Sequence, residues 1–230
     1  LYRHGQTWLG SVTAGLYGRH SARIIAAAAG VGDLLGLDDD QLRTGLSAIQ
    51  PAPGRMARLT GAEDSIIVDD SYNSSPGAAK AALAALAEAP TTGRRLAIMG
   101  SMNELGDDAP RYHAEVGAIA GQPETRLDLL VTVGALANDH LGPAAVAAGL
   151  PSAEWHQFTS PREAGAWLRS QLKTGDVVLV KGSQNRVFTE EAAKLLLANP
   201  QDASKLVRQT RAWLRRKAKQ FPATPEPLGD

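Results

Sequence analysis

The stretch VVLVKGSQNRVFTEEA, residues 177–192, decides how the rest of the chain is read. A run of β-branched and apolar residues stops at Lys181-Gly182-Ser183, and a helical pattern with two acids in its first turn begins a few residues later. Strand, polar step and helix in that order form the unit from which parallel α/β sheets are built. The polar step is either a turn or a loop that grips a ligand. It is not a phosphate loop of the usual kind. The pattern G-x-x-x-x-G-K-[ST] occurs nowhere in the 230 residues, and Gly182 follows Lys181 instead of preceding it.

The same unit recurs upstream. MARLTGAEDSIIVDD (56–70) reads as a hairpin whose second arm, Ser65 to Val68, runs into two acids. SSPGAAKAALAALAEAP (74–90) opens a helix with Ser75 at the N-cap and Pro76 at the first helical position. Strands are expected at 94–101 and 126–135, a short edge strand at AEWHQF (153–158), and the last strand at GDVVLVKGS (175–183). Helices are expected at 109–121, at 135–150 with a break near Gly142-Pro143, at 160–172 with Ser160 as cap, and at 188–199. This alternation predicts an α/β fold: a Rossmann-like, mostly parallel sheet with helices on both faces.

Six segments lie outside that pattern. Residues 1–17 suit one or two strands. GRHSARIIAAAAGVGDLLGL (18–37) is apolar around most of its circumference and reads as a buried helix, and LDDDQLRTGLSAI (37–49) as a second helix with acids where the macrodipole favours them. QPAPGR (50–55) is the best linker in the chain. DASKLVRQTRAWLRRKAKQF (202–221) reads as one amphipathic basic helix anchored by Leu206, Trp213 and Leu214, its basic residues either solvated or docked. PATPEPLGD (222–230) reads as mobile. The first residue is Leu1, so the chain is expected to be a piece of a longer protein.

Composition narrows the function. Apolar residues make up 43%, enough for a core, and Lys+Arg and Asp+Glu balance at 24 each, which argues against nucleic acid or an acidic membrane as partner. Cysteine is absent, so there is no disulfide, thiolate metal site or Cys nucleophile. The five His show no H-x-x-x-H spacing, and no stretch approaches the roughly 18 apolar residues of a membrane span. No membrane insertion and a cytoplasmic setting are expected.

In a parallel sheet the carboxyl ends of the strands share one edge, where ligands bind. Three of four strand exits are densely polar: Asp69-Asp70-Ser71-Tyr72-Asn73-Ser74-Ser75, Gly100-Ser101-Met102-Asn103-Glu104 and Lys181-Gly182-Ser183-Gln184-Asn185-Arg186. The fourth is Gly134-Ala135, and the opposite ends carry plain turns such as Gly175-Asp176. Each group has a bland alternative. Asp70 suits an Asx turn or helix cap, Lys181 a solvated charge, Ser101 and Asn103 turn formation, Arg55 a linker position, and Tyr112 and His113 packing or surface. Gly182 would let the backbone approach a ligand. These residues point to a polar carboxyl edge that holds an anionic or zwitterionic ligand.

At DDSYNSSP (69–76) the chain resembles the Mur ligase family, whose pattern here is D-D-S-Y-N-A-N-P. GRH (18–20), PAPGRM (51–56), GSMNELG (100–106), HAEVG (113–117), LLVTVG (129–134) and VLVKGS (178–183) match in the right order, so the resemblance covers about residues 18–198. Within the family it looks like the type that adds D-Ala-D-Ala to UDP-MurNAc-tripeptide. The resemblance implies an ATP-dependent ligase in peptidoglycan precursor synthesis. ATP converts a substrate carboxylate to an acyl phosphate, and an amine then attacks it. Residues 1–49 would be the end of a central ATP-binding domain, 50–200 the C-terminal Rossmann-like ligase domain, and 201–230 a basic tail. The phosphate loop and the Mg2+ ligands would lie upstream, with no metal held by this part.

The resemblance also implies roles. Asp70, Arg55 and His20 would bind the nucleotide. Tyr72, Asn73, Lys181 and Ser183 would bind substrate, with Lys181 and Asn73 serving catalysis. ATP, UDP-MurNAc-peptide and D-Ala-D-Ala would be the partners of an enzyme acting as a monomer, and this part alone would be inactive. The chain departs from the family at Ser21 and Ile24, where G-R-H-N-x-x-N has asparagines, at Ser101, where G-D-M has an acid, and at Gln184-Asn185, where Arg-Ser is usual. A Mur-type ligase with another amine substrate, and a non-catalytic nucleotide- or partner-binding module, stand as alternatives.

Overall fold

The computed structural model describes residues 14–221 together with the paired two-residue strands β1 (Tyr2–Arg3) and β2 (Gln6–Thr7). The mobile end expected at 222–230 lies outside the described residues. The chain then runs through helices α1 (Ala22–Leu34) and α2 (Asp39–Ser47) into a six-stranded sheet. Its strands are β3 (Ala57–Thr60), β4 (Ile66–Asp70), β5 (Arg95–Gly100), β6 (Leu129–Val133), β7 (Trp155–Phe158) and β8 (Val177–Lys181), in the spatial order β3-β4-β8-β5-β6-β7. β3 pairs antiparallel with β4, closing the expected hairpin, and every other pairing is parallel. The mostly parallel sheet read from the sequence is the one observed.

Alternation along the strands sorts two cores. Val68, Ala97, Met99, Leu130, Val177 and Leu179 face α3 (Pro76–Ala87), α4 (Ala109–Ala120) and α5 (Gly142–Ala147). Ile67, Leu96, Ile98, Val131, Val178 and Val180 face α6 (Pro161–Gln171) and α7 (Glu190–Leu196). Strands buried on both faces need apolar residues at every position, which is why they read as unbroken apolar runs. Local signals place the helix starts. Ser75 accepts from the Ala78 N–H, Ser160 from Arg162, and Asp38 forms a reciprocal capping box with Gln41.

Four expectations are corrected. β4 runs through both acids to Asp70 instead of stopping at Val68, because β8 pairs with it as far as Asp70 opposite Lys181. The segment 135–150 is helical, with a π-helical turn over Ala137–Leu141 handing over to α5 at Gly142, ahead of Pro143. α1 is not buried all round. It packs on α2 through Ala29 and Gly32, while Ile24, Val31, Leu34 and Leu35 are exposed, so its apolar circumference exceeds what α2 covers. The tail is not one helix. A 3-10 segment (Pro200–Lys205) is followed by a turn in which Arg208 takes φ 57°, and α8 spans only Arg211–Gln220. Leu206 is buried as expected, but Leu214 is exposed. Among the described residues, no helix is long and apolar enough to cross a membrane.

Candidate functional site

Asp69 and Asp70 are neighbours on one strand, so their side chains leave opposite faces of the sheet. Asp70 shares the face of Val68, toward α3. Lys181, in register beside it on β8, shares the face of Leu179, also toward α3. Register therefore sets the two side chains next to each other. Lys181 Nζ lies 2.6 Å from Asp70 Oδ2 and donates to the Asn73 carbonyl at 3.0 Å, and the Met56 N–H donates to Asp70 Oδ1 at 3.2 Å. Lys181 is 1% exposed and Asp70 7%. Burial pushes the Lys181 ammonium below the ordinary lysine range, and Asp70 pulls it part of the way back.

The pair closes one end of a cleft of about 620 Å³. His20 and Arg55 line it too, so four of the sequence-predicted site residues meet in one cavity. Most of the remaining wall is apolar, with Leu16, Ile24, Ile49, Pro51, Ala78 and Ala81, and Ser21 and Gln50 are its polar members. Ile24 occupies one of the positions where the family pattern carries asparagine. A slot with apolar walls, one carboxylate and three cationic or titratable bases at its rim fits a flat ring system joined to a hydroxylated and anionic group.

The other predicted residues are placed differently. Tyr72 is 42% exposed on the rim, its ring lying under the Arg55 guanidinium at 4.2 Å. Asn73 is half-buried and meets Lys181 through its backbone carbonyl. Ser183 is buried; its hydroxyl accepts from the Asn103 N–H at 2.9 Å and donates to the Ser74 carbonyl at 3.3 Å, so it ties two rim loops together. Gly182 does not open the backbone to a ligand. A Cβ there would stand 2.6 Å from Thr189 Cγ2, so the missing side chain makes room for the start of α7.

Ser101 and Asn103, expected as turn formers, bond with their side chains across to other strand exits. Ser101 Oγ accepts from Ala137 N–H, and Asn103 Nδ2 donates to the Asn185 carbonyl. His113 is a packing residue. Its Nε2 accepts from the Met102 N–H at 2.8 Å and its Nδ1–H donates to the Ala109 carbonyl, and burial holds the ring below the ordinary histidine range. The Asx turn belongs to Asp69, whose Oδ1 accepts from Ser71 N–H at 3.1 Å. Its other oxygen has no protein partner, and burial pushes the carboxyl up to about 6.

Sequence reasoning missed the apolar wall, whose members are scattered over 16–81, and a buried charge cluster beneath the rim. Glu190 and Glu191, at the start of α7, pair with Arg208, Lys217 and Arg162. Lys217 and Glu190 are fully buried. The signal available was two adjacent acids in one element and a basic run in another, which fits a solvated surface equally well.

A family model described as "Mur ligase, glutamate ligase domain" matches residues 54–184. The UDP-N-acetylmuramoyl-tripeptide–D-alanyl-D-alanine ligase of Synechocystis is 36% identical over 185 residues, taking in 80% of this chain and 39% of its own length. The MurF ligase of Thermotoga maritima, solved in complex with ADP, superposes with a TM-score of 0.61 at 28% identity over 78% of this chain and 38% of that one. A MurF structure from Acinetobacter baumannii gives 0.66 at 28% identity, over 80% of this chain and 39% of that one. The chain thus spans about two fifths of the length of these relatives.

Proposed function

The chain belongs to the Mur ligase family, and from that premise we propose that it is the C-terminal part of an ATP-dependent ligase adding D-Ala-D-Ala to UDP-MurNAc-tripeptide in peptidoglycan precursor synthesis. The observation that carries this reading is the buried Asp70–Lys181 pair sharing one cleft with Arg55 and His20. Residues 1–49 are read as the end of a central ATP-binding domain, 50–200 as the ligase domain, and 201–230 as a tail.

The apolar wall takes the adenine, Asp70 accepts from the ribose hydroxyls, and Arg55 and His20 face the phosphates. In the reaction, the terminal phosphoryl group passes from ATP to the tripeptide carboxylate, giving an acyl phosphate and ADP. The amine of D-Ala-D-Ala adds to the carbonyl carbon, and the tetrahedral intermediate expels phosphate as the amine loses its proton. Tyr72 and Asn73 hold the dipeptide. Lys181 offers a positive charge toward the developing negative one, and Ser183 keeps the rim loops in place. Such chemistry depends on alignment and preorganised charge more than on covalent help from the protein. The Mg2+ of the reaction would be held by residues upstream of this part, as the family resemblance implies, and no step here runs through it.

The test is ATP-dependent phosphate release by the full-length protein, with UDP-MurNAc-tripeptide and a panel of amines including D-Ala-D-Ala. Release only with D-Ala-D-Ala supports the assignment. Release only with another amine moves the protein to a different Mur-type reaction, a reading that Ser101 and Gln184-Asn185 keep in play. No release with any amine removes the catalytic reading. Asp70→Ala and Lys181→Ala should each lower turnover about a hundredfold or more, as loss of a preorganised charge does elsewhere.

A further inference from the structure

Two consecutive tail residues, Val207 and Arg208, touch both segments that carry Arg55 and Tyr72 at the rim of the cleft. Arg208 lies outside the cleft and is almost buried. Its Nε and Nη2 grip the two oxygens of Glu190 at 2.7 Å each, and its Nη2 and Nη1 also donate to the carbonyls of Ser71, at 2.6 Å, and Tyr72, at 3.0 Å. Those carbonyls belong to the residues immediately after Asp70. One residue further on, the Asn73 carbonyl receives Lys181.

Val207 acts on the facing segment. The Tyr72 N–H donates to the Gly54 carbonyl at 3.1 Å, and Gly54 sits at φ 67° with Tyr72 N and Val207 Cγ1 each 2.8 Å from where a Cβ would stand. Arg55 follows directly and lays its guanidinium on the Tyr72 ring. Gly54 is therefore held between Tyr72 and the tail, and Arg55 and Tyr72 leave that contact as a stacked pair at the cleft mouth.

The tail itself is anchored from behind. Lys217 Nζ bridges Glu190 at 2.9 Å and Glu191 at 2.8 Å, and Arg162 holds the other oxygen of Glu191. Burial alone would raise the Glu191 carboxyl, but the bonds from Lys217 and Arg162 outweigh it and keep it below the usual range. Trp213 and Phe221 meet the buried Phe188 ring edge-on, at 6.0 and 6.3 Å between centroids. A planar guanidinium has five donors in a fixed fork. It can hold a carboxylate and two carbonyls together in a way an ammonium cannot.

We infer that Arg208 is a positioning residue for the reaction: through the Ser71 and Tyr72 carbonyls it fixes where Arg55 and Tyr72 stand over the cleft, making the C-terminal segment part of the site's framework. This rests on the nucleotide-binding reading of Arg55 given above. Two measurements keep the two readings separable.

The first is amide hydrogen exchange at Tyr72, which needs no turnover. Arg208→Lys keeps a charge beside Glu190 but loses the fork. Arg208→Met loses both. In each, exchange at Tyr72 should quicken at least tenfold while β5 and β6 are unchanged. The second is the steady-state kinetics of ATP-dependent phosphate release by the full-length protein. Both variants should raise KM for ATP at least tenfold. The control Arg169→Met, which removes two carbonyl contacts at the far end of α7, should leave KM unchanged even where it lowers the melting temperature as much. Unchanged Tyr72 exchange overturns the inference. So does faster exchange with KM and kcat at wild-type values, or an Arg169→Met variant that shifts KM equally. If the wild type releases no phosphate with any amine, the ligase reading falls, the catalytic half of the inference falls with it, and the exchange result decides whether Arg208 holds the Tyr72 segment in place.

Discussion

Asp69→Asn should make the protein more stable at alkaline pH and leave it no better at acid pH. Asp69 points to the α7 face, fully buried, with Oδ1 bonded to the Ser71 N–H and Oδ2 without a protein partner. Burial raises its carboxyl to about 6, with nearby Glu190 and Asp70 adding smaller pushes in the same direction and Ser71 opposing. An unfolded Asp titrates near 3.8. Between those values the native state binds more protons than the unfolded one, so stability falls as pH rises. The loss is complete above about pH 7 and amounts to about 3 kcal/mol, at about 1.4 kcal/mol per unit. The amide is close in shape to the protonated acid, keeps an oxygen for Ser71 and cannot ionise. Urea unfolding of variant and wild type, from about pH 4.5 to 8, isolates the effect, because every other titration is common to both. The stability difference should drift in favour of the Asp69→Asn variant by about 2 kcal/mol across that range, the remaining part of the effect lying below about pH 4.5. A difference constant with pH refutes the reasoning, whatever its size.

Other outcomes follow from the same geometry. Lys181→Met strands Asp70 beside an apolar neighbour and should cost about 3–5 kcal/mol in thermal or urea unfolding, whereas the Asp70→Asn/Lys181→Met double variant should regain more than half of that. In the active protein, the alkaline limb of the kcat/KM profile should lie below the ordinary lysine range, because burial lowers the Lys181 ammonium, and Lys181→Arg should move that limb upward or remove it. Gly54→Ala should cost about 2 kcal/mol in urea unfolding from the positive φ alone, and more once its Cβ presses on Tyr72 N and Val207; a neutral variant would show that this turn can shift.

The sheet was legible because its central strands are nearly unbroken apolar runs and α2, α3 and α6 begin with Asp-x-x-Gln or Ser-Pro caps, which are local signals. The Asp70–Lys181 meeting was legible because parallel strands share an edge, although only pairing register showed that they touch. The tail was misread because periodicity over 202–221 cannot reveal a residue at φ 57°, nor that Lys217 finds two buried acids on another element. α1 was misread because an apolar circumference says what a helix prefers to bury, not what lies beside it. Gly182 shows the same limit. Its residue type suits a ligand loop, and its missing side chain makes room for Thr189.

The consecutive acids at the end of β4 carry a lesson for substitution scans. Two identical letters, one residue apart, have opposite thermodynamic signs: neutralising the first relieves a penalty, and neutralising the second orphans an ammonium. Any survey that pools carboxylates by type would average the two to nothing. A single-residue insertion in the hairpin that slid this strand one place along its neighbour would set Asp69 beside Lys181 and Val68 in the buried place Asp69 had held, carrying Asp70 past the last pair.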